Sequence, residues 1–166
     1  MNPQPVRNNR QCLRSIGIKI AVMPAVAAAS LWVAYWERKI RADGVALNAL
    51  QLADARAIGV AFPERVRLLR VERVPFPRWA GIFGKLAGAE PAQTAGLSAR
   101  YGIFIRADHW GNRALLLHEL AHTAQYERLN GIRPFLKQYL QECLAQGYAV
   151  AALELDASAA AHRVLA

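Results

Sequence analysis

The sequence predicts a mostly helical α+β fold from three observations. An uncharged apolar run lies near the start, two short strand-like segments rich in Val, Ile and Tyr lie in the middle, and the C-terminal third is punctuated by helix caps and stops. With 166 residues, 54% of them hydrophobic, the chain can build one globular core and an appendage. The division is placed after residue 43. Residues 1–43 are a basic N-terminal segment with an apolar helix, and residues 44–166 are the globular domain.

The first element is IAVMPAVAAASLWVAYW, Ile20 to Trp36, at the lower limit of the about 17 to 25 residues that cross a bilayer. Arg7, Arg10, Arg14 and Lys19 precede it and Arg38, Lys39 and Arg41 follow it, so the distribution of positive charge selects no orientation. Three readings stay open: membrane attachment or spanning through residues 20–36, a signal peptide cleaved near Ala27-Ala28-Ala29, and a helix packed on the core. Trp32, Tyr35 and Trp36 suit an interfacial or a packed position equally. The long basic stretch before the run weighs against secretion and leaves a cytoplasmic or membrane-tethered chain.

After Gly44 the elements shorten. Asn48 with Gln51 three residues on forms a capping box for a helix that Gly59 ends. VRLLRV, Val66 to Val71, reads as a strand, and VPFPRW breaks regular structure with two prolines. Residues 79–97 read as a loop or a short helix. ARYGIFIRAD, residues 99–108, alternates around Tyr101, Ile103 and Ile105 as a second strand. A helix follows from Asn112, its cap, to Leu129, with Asn130-Gly131 as its stop. Another runs from about Pro134, tolerated in a first turn, to Gln146, and Gly147 ends it. AVAALELDASAAA beyond Tyr148 is rich in good helix formers and forms the last.

The formal charge of +9 comes from 21 Lys+Arg against 12 Asp+Glu, with the arginines scattered from Arg7 to Arg163. Nucleic-acid binding asks for a basic stripe interleaved with aromatics, so the scatter argues against it, and an anionic membrane surface accounts better for the excess. Cys12 and Cys143 stand far apart, with neither a disulfide framework nor zinc-finger spacing.

The chemistry concentrates in LLLHELAHTAQYERL, residues 115–129. On a helix, His118 and His122 project from one face, so both imidazoles can meet one ion without any loop being fixed. Glu119, on the neighbouring edge of that face, is near enough to take a proton from water at the ion without being a ligand, as a general base requires. The plainer alternative is an amphipathic helix with satisfied histidines. Against it, Leu115, Leu116, Leu117, Leu120, Ala121 and Ala124 surround the motif with apolar side chains. Unpaired polar groups buried there cost about 1 to 3 kcal/mol each.

A catalytic zinc takes three protein ligands and keeps one open position, and Glu142, Glu154, Asp156 and His162 are the downstream candidates for the third. Glu142 lies at the edge of the apolar face of its helix. Glu154 is favoured, because it and Asp156 are the only charged residues between Cys143 and Ala161. One of the two can bind metal while the other holds a ligand imidazole through its second nitrogen.

With HELAH at 118–122, the chain resembles the gluzincins, zinc metallopeptidases that carry HExxH on one helix and a glutamate on a later one. HELAHTAQYERL is similar to small bacterial zincin-like domains in which Gln-Tyr follows the motif and a segment like LELDA occurs downstream. The likeness covers roughly residues 60 to 160. It implies a zincin-like fold, with a small antiparallel sheet packed on the HExxH helix and a strand above the metal that pairs with extended substrate, a place ARYGIFIRAD would fill. It assigns His118 and His122 as ligands of Zn2+, Glu119 as base and Glu154 as third ligand. Tyr126 or Tyr148 would stabilise the oxyanion, with His109 as a further candidate, although core packing explains both tyrosines as well. The expected function is a zinc-dependent peptidase acting on an extended segment of a protein or peptide. The alternative is a zinc-binding, non-catalytic recognition module on the same fold.

Overall fold

The computed structural model describes residues 9–76 and 93–166, with side chains described from Met23 onward. The chain is mostly helical with one small sheet, an α+β arrangement. Helix α1 spans Asn9–Asp43 and is followed by strand β1, Val45–Ala46, and helix α2, Ala49–Ile58. Next come strands β2, Arg67–Val71, β3, Gly96–Ala99, and β4, Gly102–Arg106. Helices α3, Arg113–Arg128, α4, Ile132–Gln146, and α5, Ala152–Leu165, complete the described chain.

Several helix ends form where the residues predict. The Asn48 side chain accepts from the Gln51 N–H at 2.9 Å while the Gln51 side chain accepts from the Asn48 N–H at 2.9 Å, and Gly59 closes α2 with φ 100°. Asn112 caps α3 through the Leu115 N–H at 3.0 Å. Asn130 and Gly131, at φ 62° and 121°, turn the chain into α4.

The strand order is β1-β2-β4-β3, with β2 and β4 parallel and the other two pairs antiparallel. The sheet is therefore mixed, where the resemblance implies an antiparallel one. The reason lies in residues 99–108, which are not one strand. Ala99 ends β3, Arg100 turns the chain at φ 62°, and β4 runs back beside β3. The hairpin fixes the direction of β4, and β2 then meets it on the other side in parallel. Gly96–Ala99, which begins in the stretch read as loop or short helix and ends at the start of the segment read as the second strand, is thus the edge strand among the described residues, and residues 77–92 lie outside them.

Alternation along β4 separates two cores. Tyr101, Ile103 and Ile105 face one way, as their spacing predicts, and pack with Leu68, Ala55 of α2 and Leu116 and Leu120 of α3. Phe104 faces the other way, toward Val26, Ala29, Val33 and Ile40 of α1 and Phe135 and Leu136 of α4. Each large side chain so buried contributes about 1.5 to 3 kcal/mol. Helix α1 thus shares a core with the globular part across the division at residue 43. It comes close at Gly102, where a Cβ would lie 2.8 Å from the Ile40 Cβ. Among the described residues, no helix is long and apolar enough to cross a membrane.

Candidate metal centre

Helix α3 carries His118 and His122 on the side facing α5, and Glu154 enters from the first turn of α5. His118 Nε2 lies 3.1 Å from His122 Nε2 and 3.2 Å from Glu154 Oε2, and His122 Nε2 lies 3.4 Å from Glu154 Oε1. Four ligands at bond lengths of about 2.0 to 2.1 Å around a tetrahedral ion stand about 3.3 Å apart, so the observed spacings fit three corners of such a site. This group could hold a metal ion, with its ligand atoms all within 4.8 Å of one another.

The ring nitrogens turned away from the cluster are also held. Gln125 Oε1 accepts from His122 Nδ1 at 2.8 Å, which turns Nε2 toward the cluster. The Gln125 amide is itself oriented by donating to Leu153 O at 2.8 Å and to Asp156 Oδ2 at 2.9 Å, and Arg128 pairs with that same oxygen at 2.9 Å. Asp156 therefore supports the imidazole through an amide instead of touching it. A charge this far along the chain is easy to notice in the sequence, whereas the neutral amide between them reads as an ordinary surface residue. The spacing of three between His122 and Gln125 was the available signal. His118 Nδ1 lies 3.4 Å from Ser158 Oγ.

Glu154 is held from the α4 side by the Tyr139 hydroxyl, which donates to Oε1 at 2.5 Å. Tyr139 also stands edge-on to His122. Burial by itself would raise the Glu154 carboxyl, but the hydrogen bonds from His118, His122 and Tyr139 hold it well below the usual carboxylate range. Burial likewise opposes charge on His122, yet the hydrogen bond and charge of Glu154 raise it. Protons and a divalent cation compete for these donor atoms.

Glu119 is buried but stands outside the ligand group. Burial raises its carboxyl, against the pull of His122, His118 and a hydrogen bond from the Ser98 backbone. Its place depends on β3. A Cβ on Gly96 would lie 2.8 Å from Glu119 Oε1 and 3.0 Å from Cγ, so the carboxylate holds its present position because residue 96 is a glycine. Nothing in the sequence announced Gly96.

No protein-family model, curated protein or solved structure matches the chain. The geometry therefore carries the assignment, and it sorts the remaining candidates. Glu142 is engaged elsewhere: its Oε2 accepts from the Leu153 N–H at 2.9 Å and its Oε1 from Gln138 at 2.8 Å, so it caps the start of α5. His162 is exposed in the last turn of α5 and is not in the ligand group, and His109 pairs with Asp108 at 3.8 Å. Tyr126 is a core residue, stacked on Phe135 with its hydroxyl 3.5 Å from Ser98 O. Tyr148 is 37% exposed, and burial, then the charges of Glu154 and Glu119, raise its hydroxyl. The strand next to Glu119 is β3, and β4, which makes up most of ARYGIFIRAD, is paired on both sides.

Proposed function

We propose that this chain is a zinc-dependent peptidase of the gluzincin type, with His118, His122 and Glu154 as ligands and Glu119 as general base. One observation carries the reading. Three donor atoms converge at tetrahedral spacing, and a buried carboxylate one residue from a ligand is kept out of that group against the edge strand. Zinc, when bound, lowers the pKa of water from about 15.7 toward about 7 and polarises a carbonyl.

The chain's own groups then have distinct tasks. Glu119 takes a proton from the water whose oxygen attacks the peptide carbonyl carbon, and returns it to the amide nitrogen as the C–N bond breaks. Its apolar setting, which disfavours the charged carboxylate, suits a group that must both accept and release a proton. The Tyr148 hydroxyl donates to the oxygen that gains negative charge. The edge of β3, unpaired with any other strand among the described residues, offers backbone hydrogen bonds to an extended substrate.

The test uses purified full-length chain, metal analysis and fluorescein-labelled casein. Wild type holds zinc stoichiometrically and cleaves casein, while Glu119→Gln keeps its zinc and loses at least about a hundredfold in rate. Equal cleavage by both proteins overturns the assignment of the base. Zinc without cleavage in the wild type replaces the peptidase by a recognition module.

A further inference from the structure

Between Met23 and Trp36, helix α1 is apolar on two opposite sides. Val26, Ala29, Val33 and Ile40 turn inward to the core. On the other side Met23, Leu31 and Tyr35 are 40%, 75% and 57% exposed, with Pro24, Ala27 and Ala28 exposed around them. Met23, Ala27, Leu31 and Tyr35 recur every fourth residue and so form one row, about 18 Å long. A surface helix ordinarily turns polar residues outward, and a helix apolar all round has its second side covered as well.

Charge identifies what covers it. No ionisable acid or base interrupts the row between Met23 and Tyr35, and the next turn on the same side carries Arg38 and Lys39, both exposed, with exposed Arg41 alongside. The acid in this stretch, Glu37, is buried, and Asp43 pairs with Lys39 at 3.3 Å. Before the row the sequence holds Arg7, Arg10, Arg14 and Lys19 and no acidic residue. An apolar row bracketed by cations matches the boundary between acyl chains and anionic headgroups. It matches a second copy poorly, since parallel or antiparallel pairing would set like charges together. Spanning is ruled out for this helix by its inward side, which is occupied by the sheet and α4.

We propose that the outward side of α1 lies flat on an anionic lipid surface, with Leu31 and Tyr35 at the acyl boundary and Arg38, Lys39 and Arg41 at the phosphates. The surface is separate from the metal centre, so either assignment can fail alone.

The experiment sediments the full-length chain with phosphatidylcholine vesicles prepared with and without phosphatidylglycerol. The protein sediments with the anionic vesicles at low salt and is released at high salt. Leu31→Asp, at an exposed position that does not threaten folding, lowers the partition coefficient at least about tenfold. Arg38→Gln and Lys39→Gln each lower it about fivefold. Circular dichroism and zinc content are unchanged in all three variants. The proposal is overturned by equal sedimentation with both vesicle types, by no sedimentation with either, or by a Leu31→Asp variant that partitions like wild type. A dimer in vesicle-free buffer that Leu31→Asp dissolves would assign the row to self-association and overturn it too.

Discussion

Glu119 and Glu154 are buried carboxylates that sense the same two imidazoles, and their surroundings drive them apart. Glu154 meets donors from two helices, His118 and His122 of α3 and Tyr139 of α4, and itself sits in the first turn of α5. Those donors favour the anion, as does the N-terminal end of a helix. Glu119 has one backbone hydrogen bond from Ser98 and otherwise the glycine face of β3. A ligand must be charged and fixed; a base must be able to change charge. The difference between the two regions is thus a matter of who supplies hydrogen-bond donors and who supplies a wall.

The comparison can be broken at its strongest point by removing a ligand. His122→Ala and Glu154→Ala each lose more than about a hundredfold in zinc affinity, beyond what supporting residues usually account for, in competition against a chromophoric chelator. Glu142→Ala in the same assay leaves affinity unchanged, because its carboxylate caps α5. A zinc-binding Glu154→Ala variant would sink the ligand assignment.

The wall is tested next. Gly96→Ala places a methyl group 2.8 Å from Glu119 Oε1 and 3.0 Å from its Cγ, so the carboxylate must shift while His118, His122 and Glu154 stay. Zinc affinity is retained and the proposed casein cleavage falls at least about tenfold, since a misplacement of a full ångström costs about a hundredfold. Full cleavage by Gly96→Ala would show that β3 does not position the base.

Smaller effects sharpen the contrast. Tyr139→Phe removes one donor to Glu154, and Gln125→Leu removes the acceptor that sets the His122 ring. Each weakens zinc about tenfold, read by the same competition, with little change in the protonation behaviour of Glu119. Unaltered affinity in both would mean that the three ligand side chains orient themselves without support.

Much of this centre was legible because it is local or chemically conspicuous. The spacing of His118, Glu119 and His122 sets their directions on α3, and Glu154 stood out as an acid in an apolar segment. Capping residues announced helix ends for the same reason, since each acts within one turn. The parts that escaped depend on distant chain segments. β3 is four residues of Gly, Leu, Ser and Ala with no strand signature, and it becomes a strand because β4 folds back on it. The parallel pairing of β2 with β4 is likewise a property of how the chain returns. Glu142, at the edge of the apolar face of its helix, stayed open as an alternative to Glu154, and only its hydrogen bonds to Leu153 and Gln138 reveal its separate employment.

Glu154 reaches the imidazoles from a helix that begins only after α4 has crossed between them in sequence. An ion shared by α3 and α5 would therefore act as a clasp, closing a loop that contains all of α4 and drawing the C-terminal helix into the cooperative unit. Its binding energy becomes folding energy, so the tightness of the last third of the chain would follow the free metal concentration around it.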